Sequence, residues 1–378
     1  MNQNNHILIL GGSLYYKHTF NRLKDRGFKI GCIDNNPHAH CKEIADYFIH
    51  CDYSNIDMTL KKISNLGIDY ILPMNDIGVL SSALLSEKLS LRGISVNIAK
   101  RAVSKSLMKK QWIIDNLPTP KFFIVDNYNK VYEAINNIGV PCILKPANFP
   151  GGGSRGVIVV NKIQDLSYAL SFTKDFCDDS KILIEEFMDY QSEHSIECLV
   201  KNNDIEVILI GNNYKMNLPF RVNQKITYPT NISKSKQRKL IDLCCKAIRS
   251  LGIKLGPVHI EIGFQDEKPY LIELGARAGG GAIFHPITEL VTGVDYPYET
   301  VNIFLNQQIR YNPKVMNKKI EYNFITNQFP NTAVNELKEK LEKDPKIFDY
   351  HIAPGFDCTK KIKTGLDRQG YIISVENI

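Results

Sequence analysis

The sequence lacks several features that define other classes of protein. It has one tryptophan, and none of its nine cysteines belongs to a C-x-x-C pair. An odd number of scattered cysteines argues against a disulfide framework or a zinc knuckle and favours a reducing cytoplasm. No run of about 18 apolar residues is present, so we expect no membrane-spanning helix and no membrane partner. The first residues have no basic segment followed by a long apolar run, so they do not resemble a signal peptide.

Charge is also nearly balanced. The 378 residues include 47 Lys+Arg and 40 Asp+Glu, which leaves a net charge of +7. This excess is too small to indicate a nucleic-acid partner, although it favours a small polyanion. The hydrophobic fraction of 43% and the length predict two or three domains that each bury a core.

Strand-like and helix-like segments alternate over the first hundred residues. The predicted strands cover residues 7–10, 29–34, 44–49, 70–73 and 94–96. This alternation predicts an α/β domain with a doubly wound parallel sheet. The Gly11-Gly12 pair after the first strand lacks the pattern G-x-G-x-x-G, so a simple glycine turn is favoured over a dinucleotide site.

The rest of the chain has an α+β pattern. We predict one helix over residues 100–117, and the following Pro118-Thr-Pro120 indicates an extended link near a domain boundary. Beyond this link, the patterns predict β-α-β-β-α over 121–181, a strand at 182–184, a hairpin at 195–210, a helix at 234–251, a hairpin at 258–274 and a final α+β segment from about 320.

The first motif with chemical meaning is a lysine followed by a glycine loop. Lys145 lies on a predicted strand, and Gly151-Gly-Gly-Ser-Arg-Gly156 follows it. Glycine amides can approach phosphate oxygens closely, while Lys145 and Ser154 add a point charge and a hydroxyl donor. The loop does not match the pattern G-x-x-x-x-G-K-[ST]. The alternative interpretation is a mobile surface hairpin.

The second motif is a strand that ends in two carboxylates, Glu185 and Glu186, before Phe187 and Met188. Apolar walls with a polar edge could hold an adenine ring. The alternative is a strand end with solvated acids.

The third motif is the hairpin at 258–274. Because side chains alternate along a strand, His259 and Glu261 share one face, as do Glu273 and Arg277 if the second strand continues that far. Two neighbouring carboxylates favour a Mg²⁺ site, and Arg277 could then contact an anionic intermediate. The alternatives are a Glu–Arg salt bridge on an exposed face and, for His259, a packed histidine instead of a substrate contact.

The fourth motif is Gly279-Gly-Gly281, which precedes a helical pattern from about residue 284. Amides of Gly280 and Gly281 at a helix N-terminus could bind a substrate carboxylate. A tight turn between strand and helix is the other interpretation.

The order of these motifs resembles the ATP-grasp superfamily, and the chain looks most like the L-amino-acid ligases and related carboxylate–amine ligases. The resemblance covers nearly the whole length. Its motifs are Ala45-Asp46, Ser104-Lys105 with Met108, Leu144-Lys145-Pro146, Gly152-Gly-Ser-Arg-Gly156, Ile184-Glu-Glu-Phe187, Leu271-Ile-Glu-Leu-Gly-Ala-Arg-Ala-Gly-Gly-Gly281 and Thr292-Gly-Val-Asp295. Gly275 stands where many relatives carry Asn as a further metal ligand, and Glu-x-Gly-Ala-Arg is frequent in the amino-acid-ligase branch.

The resemblance implies a division into domains. Residues 1–100 would form an N-terminal α/β (pre-ATP-grasp) domain. Residues 101–305 would form the ATP-grasp domain, with a small lid subdomain at about 121–182 and a larger nucleotide and metal subdomain at about 183–305. Residues 306–378 would form a C-terminal α+β segment that completes the ligase.

The resemblance also implies a role for each site residue. Lys105 and Lys145 would contact phosphates, and Gly152, Gly153 and Ser154 would belong to a loop at 150–156 that closes over them. Glu185 would accept from the adenine amino group, with backbone groups of Glu186 and Met188 beside it, and Glu193 would hold the ribose. Glu261 and Glu273 would bind one or two Mg²⁺ ions, or Mn²⁺. Arg277 would stabilise an acyl phosphate and the tetrahedral intermediate.

The function implied is an ATP-dependent carboxylate–amine ligase that acts on a small-molecule carboxylate and an amine through an acyl phosphate. The alternatives are a carboxylase that uses bicarbonate and a non-catalytic ATP-binding sensor, although intact Lys145, Glu261, Glu273 and Arg277 argue against the sensor. We expect a cytoplasmic protein and, from base rates, a homodimer. The substrate loops would include residues 212–228, where Lys215, Phe220, Arg221 and Lys225 could face an anionic substrate or form a solvated loop.

Overall fold

The computed structural model describes residues 5–148, 151–177, 179–308, 316–326 and 334–377, and only the backbone of Tyr128. These residues form three sheets of four, eight and four strands. In this described part of the chain, no helix has both the length and the apolar character needed to cross a membrane.

The first sheet is parallel and has the strand order β3-β2-β1-β4. Its central strand β1 is buried along its whole length, because helices cover a parallel sheet on both faces. The predicted α/β fold class is confirmed. The elements are β1 (His6–Leu10), α1 (Lys17–Asp25), β2 (Lys29–Asp34), β3 (Tyr47–His50), α2 (Ile56–Ile63), β4 (Tyr70–Pro73) and α3 (Asp76–Lys88).

Two predictions after the first sheet are wrong. Residues 94–96 do not form a strand, and residues 100–117 do not form one helix: the chain has α4 (Val96–Val103) and α5 (Lys105–Ile114). Ser95 starts α4 because its hydroxyl accepts from the Ile98 N–H. Ser104 is extended (φ −104°, ψ 110°) and its hydroxyl accepts from the Leu107 N–H, so it ends α4 and caps α5. Lys105 is therefore the first residue of a helix.

The second sheet is antiparallel and has its own hydrophobic core. Its strand order β5-β8-β6-β7 places the strand with Glu185 directly beside the strand with Lys145. The elements are β5 (Phe122–Val125), α6 (Tyr128–Ile138), β6 (Cys142–Pro146), β7 (Ile158–Val160), α7 (Leu166–Lys174) and β8 (Ile182–Glu186).

The third sheet is antiparallel and has the order β13-β12-β9-β10-β11-β14-β16-β15. Strand β11 pairs with β14, so the strands after residue 317 extend the sheet that carries the β12–β13 hairpin. Parts of the predicted C-terminal segment, residues 309–315 and 327–333, lie outside the described residues. The strands are β9 (Ser192–Lys201), β10 (Asp204–Lys215), β11 (Asn223–Tyr228), β12 (Leu255–Gln265), β13 (Lys268–Gly275), β14 (Lys318–Phe324), β15 (Ile347–Ile352) and β16 (Gly370–Asn377).

Helices join the large sheet to the rest of the molecule. One hydrophobic cluster packs α8 with α4 and α5 against β9 and β12, and another joins the first sheet to β10, β11 and β14 through α9 and α10. Tyr70 and Phe304 stack at 4.2 Å in that second cluster. These contacts hold the first and third sheets in a fixed relation. The remaining helices are α8 (Lys234–Leu251), α9 (Ile287–Thr292), α10 (Tyr296–Phe304) and α11 (Val334–Lys343).

Candidate active site

A cavity of about 330 Å³ lies where the three sheets meet. Its walls include every residue that the sequence singles out for nucleotide, metal or catalytic roles, together with the predicted substrate contacts His259, Gly280 and Gly281. Residue 150 of the predicted closing loop lies outside the described residues. The predicted residues on the cavity are Lys105, Lys145, Gly152, Gly153, Ser154, Glu185, Glu186, Met188, Glu193, His259, Glu261, Glu273, Arg277, Gly280 and Gly281.

A buried ion-pair cluster lies on the small-sheet side of the cavity. The Glu185 side chain is 1% exposed and contacts the ammonium groups of Lys109 and Lys145. Burial disfavours the charged carboxylate, but the two lysines outweigh it and hold the pKa of Glu185 below its ordinary value. The solvated-acid alternative is therefore wrong for Glu185, although Glu186 is exposed.

Two carboxylates face the cavity from the large sheet. Glu261 on β12 and Glu273 on β13 are direct partners in the register. Lys215 Nζ lies 3.2 Å from Glu261 Oε2, and Lys105 Nζ lies 2.8 Å from Glu273 Oε1. Burial opposes the charge on Glu261, but Lys215 and His259 keep its pKa well below the usual range. Each carboxylate thus has a lysine ammonium beside it within the cavity.

The two carboxylates of Glu261 and Glu273 limit the kind of metal site that the cavity could form. Among the described residues, no group of three or more His, Cys, Asp or Glu side chains could hold a metal ion. A cage made only of such protein ligands is therefore not present in this part of the chain. Two carboxylates do fit the usual protein share of a Mg²⁺ site, in which phosphate oxygens and water supply the other ligands.

His259 is an ion-paired residue on the cavity wall. Its Nδ1 lies 2.5 Å from Glu197 Oε1, and Glu197 Oε2 accepts from the Gly279 N–H at 2.8 Å. Burial alone would lower the pKa of His259, but Glu197 and Glu261 raise it to about 9. His259 therefore carries a positive charge at neutral pH, and the neighbouring glycine turn is fixed to the same carboxylate.

Arg277 is held by a residue of the first sheet's domain. Its Nε and Nη2 donate to the two carboxylate oxygens of Asp76 at 2.7 and 2.9 Å, and Nη1 donates to the Ala278 carbonyl. The alternative of a Glu–Arg bridge on an exposed hairpin is wrong, since the partner is Asp76 at the start of α3. Arg277 keeps N–H groups on Nη1 and Nη2 that could contact a ligand.

The glycine loop rests on the C-terminal part of the chain. The Gly365 N–H donates to the Gly153 carbonyl at 2.6 Å, and the Ser154 hydroxyl donates to the Arg221 carbonyl at 2.8 Å. Gly153 has φ +75°, which disfavours residues with a side chain. The loop is thus docked over the cavity, in contrast to the alternative of a mobile surface hairpin.

The segment at 212–228 is only partly a loop. Strand β10 continues to Lys215 and β11 begins at Asn223. Lys215 and Arg221 do face the cavity, where both contact Glu193. Phe220 packs against the core of the small sheet, and Lys225 contacts Glu321 instead of the cavity.

Sequence reasoning missed four charged residues that line or support this site: Lys109, Asp76, Glu197 and Arg368. Lys109 had a detectable signal, because it follows Lys105 by four residues and so lies on the same face of α5. The other three come from distant elements and carry no local motif. Only the tertiary structure brings them to the predicted residues.

Comparisons with known proteins find similar chains. A family model described as an ATP-grasp domain matches residues 138–285. Over 341 residues, 86% of this chain and 68% of the relative, the chain is 23% identical to the uncharacterized protein y4rH of Sinorhizobium fredii. It is 25% identical to the alanine–anticapsin ligase of Bacillus subtilis over 66% of this chain and 57% of that protein. It is 26% identical to the biotin carboxylase of Allochromatium vinosum over 50% of this chain and 41% of that protein.

A solved structure matches along almost the entire chain. The crystal structure of an L-amino acid ligase from Bacillus licheniformis has a TM-score of 0.78 and 18% sequence identity, and the match covers 100% of this chain and 95% of that one. At this identity the likeness establishes the fold. The chain spans between 41% and 68% of the length of the three curated relatives named above.

Proposed function

We propose that this chain is an ATP-dependent carboxylate–amine ligase of the ATP-grasp superfamily. It joins an amino acid or another small carboxylic acid to an amine and releases ADP and phosphate. The observation that carries the proposal is the opposition of two walls: Lys145 and the glycine loop face Glu261 and Glu273 across one cavity. The predicted homodimer and the cytoplasmic location stay predictions.

The cavity provides groups for each part of ATP. Lys105, Lys145 and the amides of the glycine loop supply positive charge for the phosphates. Residues 185–188 supply backbone groups and apolar surface for adenine. Both Glu185 oxygens contact lysines, but each oxygen has two lone pairs, so one remains for the adenine amino group. Glu193, held by Arg221 and Lys215, would accept from the ribose hydroxyls.

A divalent cation fits the remaining carboxylates. Glu261 and Glu273 would hold Mg²⁺, or Mn²⁺, and the bound ion would neutralise charge on the phosphate oxygens. Lys105 and Lys215 balance the two carboxylates in this structure and lie close enough to contact phosphate as well.

The proposed reaction has two steps. A carboxylate oxygen of the acid attacks the γ-phosphorus, the bond from that phosphorus to the bridging oxygen breaks, and ADP and an acyl phosphate form. The nitrogen of the neutral amine then attacks the acyl carbon, the bond from that carbon to the phosphate oxygen breaks, and phosphate leaves with the proton that the nitrogen loses as the amide forms. Arg277 N–H groups stabilise the negative charge of the tetrahedral intermediate, while the docked glycine loop excludes water. His259 is cationic near neutral pH, so it stabilises anions there and does not act as the base.

A second candidate is a carboxylase that activates bicarbonate. The match to biotin carboxylase supports it, because that protein is similar over half of this chain. The same cavity would activate bicarbonate in place of an organic acid, so the two candidates differ in the first substrate. A non-catalytic sensor remains the third interpretation, and it requires ATP binding without turnover.

The test is ATP turnover with Mg²⁺ against a panel of amino acids, singly and in pairs, with and without bicarbonate. We expect ADP and phosphate to appear only with particular acid–amine pairs and without bicarbonate. Turnover that requires bicarbonate would favour the carboxylase, and AMP with pyrophosphate would exclude the acyl-phosphate mechanism. The Glu273→Gln variant serves as the inactive control that identifies contaminating ATPase activity.

A further inference from the structure

Most cations on the cavity wall are balanced by a carboxylate of the protein. Such a pair limits the net charge that each cation offers to a ligand. The pairs are Lys105 with Glu273, Lys145 with Glu185, Lys215 with Glu261, Arg221 with Glu193, His259 with Glu197 and Arg277 with Asp76.

Arg368 also lines the cavity but has no such partner. Within the described residues, no carboxylate oxygen lies within 4 Å of its guanidinium nitrogens. Its guanidinium carbon lies 3.7 Å from the centroid of the Phe324 ring, and Nη2 donates to the Asn223 carbonyl at 2.7 Å. Its Nε is buried and has no hydrogen-bond partner. Arg368 as a whole is half-buried, and a partly desolvated guanidinium without an anion in contact is stabilised by a ligand that supplies one.

The surroundings of Arg368 differ from the phosphate end of the cavity. Tyr322, Tyr15 and Glu261 act on its charge, and the Phe324 ring lies against its guanidinium. Lys105 and Lys145 are instead in direct contact with Glu273 and Glu185. An oxyanion at Arg368 would therefore lie among aromatic side chains, at a cation that has no carboxylate in direct contact among the described residues.

Asn223 adds a second recognition group. Its main-chain carbonyl accepts from Arg368, and its side-chain oxygen is buried on the cavity wall without a hydrogen-bond partner. This oxygen can accept an N–H of the same ligand. Arg368 and Asn223 together fit a small molecule that carries an oxyanion and, a few bonds away, an amine.

We propose that Arg368 binds a carboxylate or phosphate group of the amine substrate, in a subsite formed with Asn223, Tyr15 and Tyr322. The identification of this ligand as a substrate rests on the proposed function, but the subsite itself does not. Stacking on Phe324 fixes the guanidinium plane, so two N–H groups can contact one oxyanion in parallel. The amine that attacks the acyl phosphate would then be positioned by its own anionic group.

The test measures binding and does not require turnover. The melting temperature of the protein with ADP and Mg²⁺ is followed against the twenty L-amino acids, their carboxamides, and O-phosphoethanolamine. We expect one or more of the oxyanions to stabilise the protein, while the matching carboxamide does not. In Arg368→Gln the half-saturating concentration should rise about 10- to 100-fold, the loss expected for one charge-assisted contact. In Arg368→Lys the half-saturating concentration should lie between those of the wild type and Arg368→Gln.

Controls separate this subsite from the nucleotide site. The affinity for ADP should be unchanged in Arg368→Gln, and Lys360→Gln, which removes an exposed charge of the same segment, should behave as wild type. Response to amino acids alone would identify the oxyanion as a carboxylate, and response to O-phosphoethanolamine alone would identify it as a phosphate.

Three results would overturn the inference: oxyanion binding that is equal in wild type and Arg368→Gln, a change in ADP affinity alone, or no oxyanion that stabilises the wild type. Oxyanion binding that depends on Arg368 without any ATP turnover would instead contradict the proposed function and leave the subsite standing.

Discussion

At the scale of single residues, Glu273 offers a direct test of the proposed metal site. Replacing it by Gln removes one of the two carboxylates proposed to hold Mg²⁺ and leaves Lys105 without its partner. We expect the ATP turnover rate to fall about 100-fold or more, since a site that stabilises transferring phosphate loses one of its charged groups. Steady-state kinetics over a range of Mg²⁺ concentrations would measure the loss.

Glu267 provides the matched control. It lies in the turn of the same hairpin, its side chain is 64% exposed, and its carboxylate pairs with Lys236 and Lys239. Glu267→Gln should therefore keep wild-type turnover. Equal ATP turnover in Glu273→Gln and the wild type would contradict the proposed role of Glu273 as a metal ligand.

His259 predicts a pH dependence of folding stability. Its pKa is about 9 in the folded protein and 6.5 in the unfolded chain, so its charge stabilises the fold fully below pH 6.5. This contribution, on the order of 3 kcal/mol, should be lost as the pH rises from 6.5 through 9. Urea unfolding at a series of pH values would show this slope in the wild type and a flatter profile in His259→Gln. The exposed His38 supplies the control, because His38→Gln should keep the wild-type slope.

The residue scale also shows what the sequence could reveal about the site. Glu261, Glu273 and Arg277 were predicted to meet because strand alternation is a local rule. The partner of Arg277 could not be predicted, since Asp76 lies 201 residues away and belongs to another sheet's domain. Their contact depends on how two sheets pack, and local periodicity carries no information about that.

At the scale of elements, substitutions in the glycine loop can separate the effect of backbone strain on stability from an effect on ATP binding. Gly153 and Gly139 both have a positive φ, +75° and +82°, so alanine at either position should lower the free energy of unfolding by at least about 1–2 kcal/mol. Only Gly153 contacts Gly365 and lines the cavity. We expect Gly153→Ala to raise the KM for ATP roughly ten- to a hundredfold, because the loop amides would be displaced.

Gly139→Ala should lose at least as much stability, because ψ of −173° also disfavours alanine, and it should leave the KM unchanged, since a methyl group there meets no described atom within 4 Å. Thermal unfolding and ATP titration on the same samples would compare the two. A KM change of similar size in both variants would show that strain alone affects the loop.

Elements with clear local patterns were predicted well. The strands at 29–34 and 70–73 and the helix at 234–251 have the expected bounds, because each combines one hydrophobic period with an obvious stop. The helix at 100–117 was wrong, since its periodicity continues across Ser104. A serine that caps the following helix interrupts the backbone without changing the apolar pattern.

At the scale of the whole molecule, Asp76 and Arg277 tie the first domain to the large sheet. Asp76→Asn leaves a buried guanidinium with a weaker partner, so we expect a loss of about 3 kcal/mol in the free energy of unfolding. Glu289→Gln tests a more exposed ion pair between α1 and α9 and should cost less than about 1 kcal/mol. Urea unfolding of both variants would check the difference. An equal loss of unfolding free energy in both variants would mean that burial does not strengthen the Asp76–Arg277 ion pair.

The three-sheet arrangement has a consequence for how the protein is made. A ribosome synthesises β14 and β16 after all the strands that carry the lysines, the glycine loop and the two metal carboxylates. Until those last strands join β11, the cavity has no Tyr322, no Phe324 and no Arg368, and the glycine loop has no Gly365 to rest on. A nascent chain can therefore fold its first and second sheets during translation. The cavity is complete only after the C-terminal strands have left the exit tunnel of the ribosome.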